Sequence, residues 1–298
     1  MYKRRNIFIL LLLIVPVLIY AMKWEALLWY SLNNWLVSDS EASQLHLNDY
    51  QVVIDGKAIA DVDDLSGLTY NLQSNTLYSV LNGQPLIIEM DTTGNILRQI
   101  TVSGVGDMEG ISHIEGNAYL IVDEKDQRLL WVEIDADTTV LDVADAPSIS
   151  LVLKGQRNKG FEGVSWDEVN QRVLLVQERN PLRVVALTGL QDGIANANKL
   201  VIQELRTQKH QRLWLRDLSS ITHDRHAGNL IFLSDESRMV VEYDLQNDGV
   251  SYLNLRRGAH GLKASIPQAE GVAIGPDNAV YIVSEPNLFY KFAAATAE

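Results

Sequence analysis

Three Glu-Gly pairs open apolar segments of the chain: Glu109-Gly110 in "GDMEGISHI", Glu162-Gly163 in "KGFEGVSW" and Glu270-Gly271 in "PQAEGVAI". A carboxylate pushed into an apolar run is costly unless something meets its charge, so the recurrence calls for a cause. In two further segments, "DDLSGLTY" and "RDLSSITH", Ser66 and Ser219 take the same place. Fifteen to seventeen residues after each of these five anchors comes a second polar position, read in order as Asn82, Glu124, Glu178, Glu236 and Glu285. Asp64, Asp107 and Asp217 stand two residues before three of the anchors.

If these positions converge, seven glutamates share one mouth. Like charges at short range raise one another's pKa or demand a cation. The available donors are oxygens. The chain has no cysteine, and its six histidines contain no HxxxH pair, which suits zinc poorly. Calcium takes many carboxylate and carbonyl oxygens in flexible geometry and fits best. On this reading Glu109, Glu162 and Glu270 are the metal ligands. Asn82, Glu124, Glu178, Glu236 and Glu285 form an outer ring that meets a ligand, with His113 as a further ligand-binding candidate. Arg157, Lys159 and Arg216 lie just before anchors, where they could pair with the acids or hold an anion. The competing reading is an acidic mouth that faces water, its glycines required only because inner strands crowd one another.

Convergence needs elements that bring distant residues to one place. Each anchor is followed by a short apolar strand, a turn centred on Asn, and a nearly all-apolar returning strand such as "TLYSVL", "AYLIVD" or "LIFLSD". Asn and Gly suit hairpin turns because they tolerate positive φ. A strand apolar throughout is covered on both faces. The anchors are separated by 43, 53, 57 and 51 residues, the period of a propeller blade of four short strands. The expected fold is all-β, a five-bladed β-propeller over residues 45–298. The fifth unit lacks a fourth strand, and "YQVVID" at 50–55 lacks a partner. An open ring would expose two sheet edges, so the N-terminal strand is expected to close the last blade. Residues 137–160 and 188–216 leave room for a sixth, degenerate blade.

The N-terminus differs. "MYKRR" precedes "NIFILLLLIVPVLIYAM", residues 6–22, which carries no charge. Small residues suited to signal cleavage are poorly placed, so residues 1–23 read as an uncleaved transmembrane anchor rather than a removed signal peptide. Lys3, Arg4 and Arg5 place the N-terminus inside and the rest outside, in the periplasm of a cell with an inner membrane. Residues 24–44, with Trp24, Trp29 and Tyr30, read as an interfacial connector. The formal charge is −13 for the whole chain. Beyond residue 23 it is 21 bases against 38 acids. With no basic stripe, nucleic acid is excluded as a partner.

The series "DLSGLTY…LYSV", "DMEGIS…AYLIVDE", "FEGVSWD" and "AEGVAI…YIVSE" resembles the SdiA-regulated (YjiK-like) family of bacterial proteins over nearly everything after residue 45. The resemblance implies an N-terminal membrane segment and a five-bladed propeller. The Glu-Gly motifs are also similar to those of esterase-like phytase and regucalcin-type propellers. In calcium-dependent propeller hydrolases the metal sits at the channel mouth among Glu, Asp and Asn side chains. Glu109, Glu162 and Glu270 match that motif type, while Ser66 and Ser219 depart from it and thin the charge. The expected function is a membrane-tethered extracytoplasmic propeller that binds a divalent cation and an unknown small-molecule or peptide ligand. The alternatives are a calcium-dependent esterase or phosphoesterase, and a protein-interaction platform without metal.

Overall fold

Strand β1 (Tyr50–Ala58) precedes the first blade, which holds β2 (Leu65–Asn71), β3 (Thr76–Leu81), β4 (Leu86–Met90) and β5 (Ile96–Ser103). The second blade contains β6 (Met108–His113), β7 (Ala118–Asp123) and β8 (Arg128–Glu133). The chain then leaves to lay β9 (Val140–Asp142) parallel to β5, and returns with β10 (Ser148–Ser150) beside β8. Blade three is β11 (Phe161–Asp167), β12 (Arg172–Gln177), β13 (Arg183–Thr188) and β14 (Val201–Glu204). Blade four is β15 (Ser220–His223), β16 (Leu230–Ser234), β17 (Met239–Tyr243) and β18 (Val250–Asn254). Blade five is β19 (Ala269–Ile274), β20 (Val280–Ser284) and β21 (Leu288–Ala294), completed by β1. The structure is a computed structural model that describes residues 13–36, 45–150, 160–179, 181–197, 199–205, 213–245 and 249–295.

The closure expected from the sequence is present: β1 pairs antiparallel with β21, Val52 opposite Phe292 and Ala58 opposite Leu288. Five sheets form among the described residues, and the described parts of the two stretches that left room for a sixth blade are used otherwise. Residues 137–150 supply outer strands to blades one and two. Residues 188–205 supply β14 and a 3-10 turn at Ile194–Asn196. The rest of "SISLVL", and Arg157 and Lys159, lie outside the described residues.

Why the returning strands are apolar throughout is visible in the core. There are five apolar clusters, one at each junction of neighbouring blades. Leu174 and Val176 of β12 face blade four, while Val173 and Leu175 face blade two. Leu230 and Phe232 of β16 face blade three, and Ile231 and Leu233 face blade five. Alternation along a strand thus puts apolar side chains into two different cores.

At the axis the inner strands β2, β6, β11, β15 and β19 each meet the next, closing a ring. They pack almost backbone to backbone. A Cβ on Gly110 would lie 2.7 Å from the carbonyl oxygen of Glu162, and one on Gly271 would lie 2.8 Å from the carbonyl carbon of Gly67. The glycine of the Glu-Gly pair is therefore a packing requirement. Gly110→Ala is expected to destabilise the protein by about 2–3 kcal/mol through overpacking against an immovable backbone, as read by urea denaturation.

Of the membrane helix expected over residues 6–22, the structure describes residues 13–22. Helix α1 (Leu13–Ala21) turns by 101° into a second helix that begins at Glu25. This second helix, α2 (Glu25–Leu36), lies against the propeller with Ala26 and Tyr30 buried in the core between blades three and four. Among the described residues no single helix is long and apolar enough to cross a membrane, although the bent pair passes by length and composition. Residues 1–12 of the expected anchor and 37–44 of the expected connector lie outside the described residues.

Candidate functional site

Three of the anchors sit at β-bulges. Met108 pairs with Asp123 and Gly110 with Val122, leaving Glu109 unpaired between them. The same slip isolates Glu162 between Phe161 and Gly163, and Glu270 between Ala269 and Gly271. A bulge re-aims the extra residue's side chain. The glutamate, followed by a glycine that allows close approach, is turned toward the mouth rather than into a core. The returning strand is clasped to the same end. The backbone N–H groups of Asn82, Glu124 and Glu285 donate to the carbonyls of Asp64, Asp107 and Gln268 at 2.9, 2.9 and 3.0 Å.

Glu109, Glu162, Glu270, Asn82, Glu178, Glu236 and Glu285 accordingly line one cavity of about 340 Å³. Ser219 and Asp217 join them, together with Asp235 and Gln268, which sequence reasoning missed. Both had a signal. Asp235 precedes Glu236, and Gln268 holds the place two before the anchor that Asp64, Asp107 and Asp217 hold elsewhere. Lys23 and Arg179 also line the cavity; nothing local in the sequence places Lys23 there.

The charge is unevenly met. Arg179 bonds both Glu178 and Glu236, the latter at 2.6 Å. Lys23 Nζ lies 3.9 Å from Glu236. No cationic side chain pairs with Glu109, Glu270 or Glu285 among the described residues. Glu109 is 8% exposed. Its Oε2 lies 2.9 Å from the Ser66 hydroxyl, and its Oε1 accepts from the Asn82 amide. Burial, reinforced by Asp107, Glu124 and Glu285, pushes the Glu109 carboxyl up to about 7 against the lowering effect of Ser66. Burial and the nearby Asp235, Glu285, Glu109 and Asp217 push Glu270 to about 8. Asp107, Asp217, Asp235 and Glu285 are raised as well, each chiefly by burial.

The tightest grouping is not the expected Glu109, Glu162 and Glu270. Among the described residues, Asp107, Glu109 and Glu124 alone offer three carboxylate oxygens within 4.8 Å of one another. The reason is geometric. The three anchors come from different blades, spread round the channel, whereas Asp107, Glu109 and Glu124 belong to one blade and are joined by the Glu124–Asp107 backbone bond. Glu124, expected in the outer ring, sits beside the cavity and accepts from the Gly160 N–H at 3.0 Å.

His113, the further ligand-binding candidate, lies apart from the acidic ring. It stands at the far end of β6 and lines a separate cavity at the opposite mouth, with His223. Its Nε2 lies 3.0 Å from the Gly116 carbonyl, and its ring packs on Tyr119 at 5.0 Å. An inner strand carries its first and last residues to opposite ends of the channel, so a residue four after the anchor cannot share its mouth. Arg216 does not pair with the ring acids either; it bonds Glu25 of α2 and the carbonyl of Tyr20.

Comparison with solved structures gives distant likenesses. The luciferin-regenerating enzyme matches with a TM-score of 0.50 at 11% identity, over 82% of this chain and 94% of that one. A nidogen/laminin complex matches at 0.48 and 14%, over 75% and 73%. Streptogramin B lyase matches at 0.47 and 11%, over 85% and 100%. At such identities the likeness extends to the fold alone. The profile of the SdiA-regulated family matches residues 42–293, the whole propeller with its closing strand. With that match, the chain belongs to the SdiA-regulated family.

Proposed function

We propose that this protein is a membrane-tethered, extracytoplasmic β-propeller that binds a divalent cation at its acidic channel mouth. Asp107, Glu109 and Glu124 would hold the ion. The observation that carries the reading is that these three carboxylates lie together at a buried glutamate with which, among the described residues, no cationic side chain pairs. Calcium suits the site, because every donor at hand is a hard oxygen, including the Asn82 side chain and nearby backbone carbonyls. Glu162, Glu270, Glu178, Glu236 and Glu285 line the remaining wall and would orient a small or peptidic ligand that enters the cavity. The tether rests on the charge-free run of residues 6–22 behind Lys3, Arg4 and Arg5, which sets the N-terminus inside.

Calcium titration followed by thermal unfolding tests the site. At a hundredfold excess over Kd, stabilisation of about 2–3 kcal/mol is expected, and Glu109→Gln should abolish it. A wild-type protein indifferent to calcium, magnesium and manganese would leave the interaction platform as the surviving account.

A second reading, hydrolysis of an ester or phosphoester, is favoured by one observation: the carboxyl of Glu270, at about 8, stays protonated at neutral pH and can serve as a general acid. A panel of chromogenic esters and phosphates, run with and without chelator, separates binding from turnover.

A further inference from the structure

The anchor is not joined to the propeller by a loose stalk. The elbow between α1 and α2 is pinned on three sides. Arg216 bonds the Tyr20 carbonyl and Glu25, with its guanidinium 4.5 Å from the centre of the Tyr20 ring. Arg256 bonds the Lys23 carbonyl. From α2, Tyr30 accepts the Trp214 N–H at 3.2 Å and Ser31 shares a 2.8 Å bond with Tyr252. Lys23, at the elbow itself, is part of the wall of the acidic cavity. The segment that carries the anchor is therefore built into the rim of the mouth.

The outward side of α2 has a different character. Trp24, Leu28 and Leu32, spaced four apart, are 40%, 46% and 52% exposed, and such spacing puts them on one face. Trp29 packs, tilted, against Trp214 with ring centres 4.8 Å apart, and Trp214 is a propeller residue that is itself 44% exposed. With α1 bent 101° away, α1 along the bilayer normal would lay α2 in the interfacial plane, where Trp side chains are favoured. A lipid bilayer, rather than a second copy of the chain, is the occupant that matches, because α1 itself is apolar and exposed, with Leu13 and Val17 both at 65%.

We propose that α2 and Trp214 form a bilayer-facing surface that fixes the acidic mouth at the membrane interface, so that whatever enters the cavity is met at the level of the lipid headgroups. This rests on the tethered reading above. The opposite mouth, with Leu72 and His113, would then stand a strand length away, roughly 20 Å.

The cysteine-free chain accepts single fluorophore labels directly. The full chain is placed in vesicles of phosphatidylcholine with a minority of phosphatidylglycerol and a doxyl-lipid quencher, labelled at Leu18→Cys, Leu28→Cys, Trp214→Cys or Leu72→Cys. Quenching at 18, 28 and 214 is expected to exceed that at 72 by about twofold or more, as burial at the interface requires. Quenching at 18 with none above the level of 72 at both 28 and 214 overturns the orientation while the tether stands. No quenching at 18 removes the tether and this inference with it.

Discussion

In chelator, Glu270→Gln is expected to be more stable than the wild-type protein at pH 8.5, and indistinguishable from it near pH 4.5. The folded protein holds the Glu270 carboxyl at about 8, against an ordinary 4.5. Below pH 4.5 the group is protonated in both folded and unfolded chains and does not affect the balance. As pH rises the unfolded chain sheds this proton first, so stability drains away until the pH passes about 8. Each unit of difference is worth about 1.4 kcal/mol; allowing for relaxation around a buried acid, the whole loss is on the order of 2–4 kcal/mol. Glutamine keeps the shape and removes the titration. For a domain of this size the gain corresponds to roughly 4–12 °C in Tm at pH 8.5. Parallel pH profiles for the two proteins would disprove the buried-acid account.

The same experiment bears on the cation. Glu109, at about 7, must lose its proton to act as a ligand, so cation binding at neutral pH should release protons and strengthen as pH rises. Glu270→Gln leaves Asp107, Glu109 and Glu124 in place and should keep the calcium response, whereas Glu109→Gln should not. A response lost equally in both variants would mean that the ion sits among the blades, as the Glu-Gly repeat first suggested, and not within blade two.

The second large effect concerns ring closure. Phe292→Ala is expected to cost about 3–5 kcal/mol in urea denaturation, the range for emptying a buried aromatic site. Phe292 is fully buried, faces the core shared by blades four and five, and stands opposite Val52 of β1. Its loss weakens the core on which the paired strands β1 and β21 pack. Val140→Ser, on the added strand β9 and 69% exposed, should change stability by less than about 0.5 kcal/mol. A cost below about 1 kcal/mol for Phe292→Ala would show that β1 contributes little to the ring.

By itself the sequence determined the all-β fold and the closing strand, and it showed five blades while leaving room for a sixth that the tertiary structure does not form among the described residues. These follow from local pattern: apolar strands at a fixed period, Asn and Gly at turns, and an orphan strand at one end matching a missing strand at the other. It also determined that Glu109, Glu162, Glu270, Asn82, Glu178, Glu236 and Glu285 share a mouth, because strand direction alone dictates which residues meet at which end. The tertiary structure decided what periodicity does not encode. Bulge geometry and the spread of blades round the axis gathered Asp107, Glu109 and Glu124 instead of one glutamate from each of three blades. Strand length sent His113 to the opposite mouth. The docking of α2, through contacts 184 to 233 residues apart in the chain, put Lys23 in the cavity wall; such placement depends on surfaces that exist only once the blades have assembled.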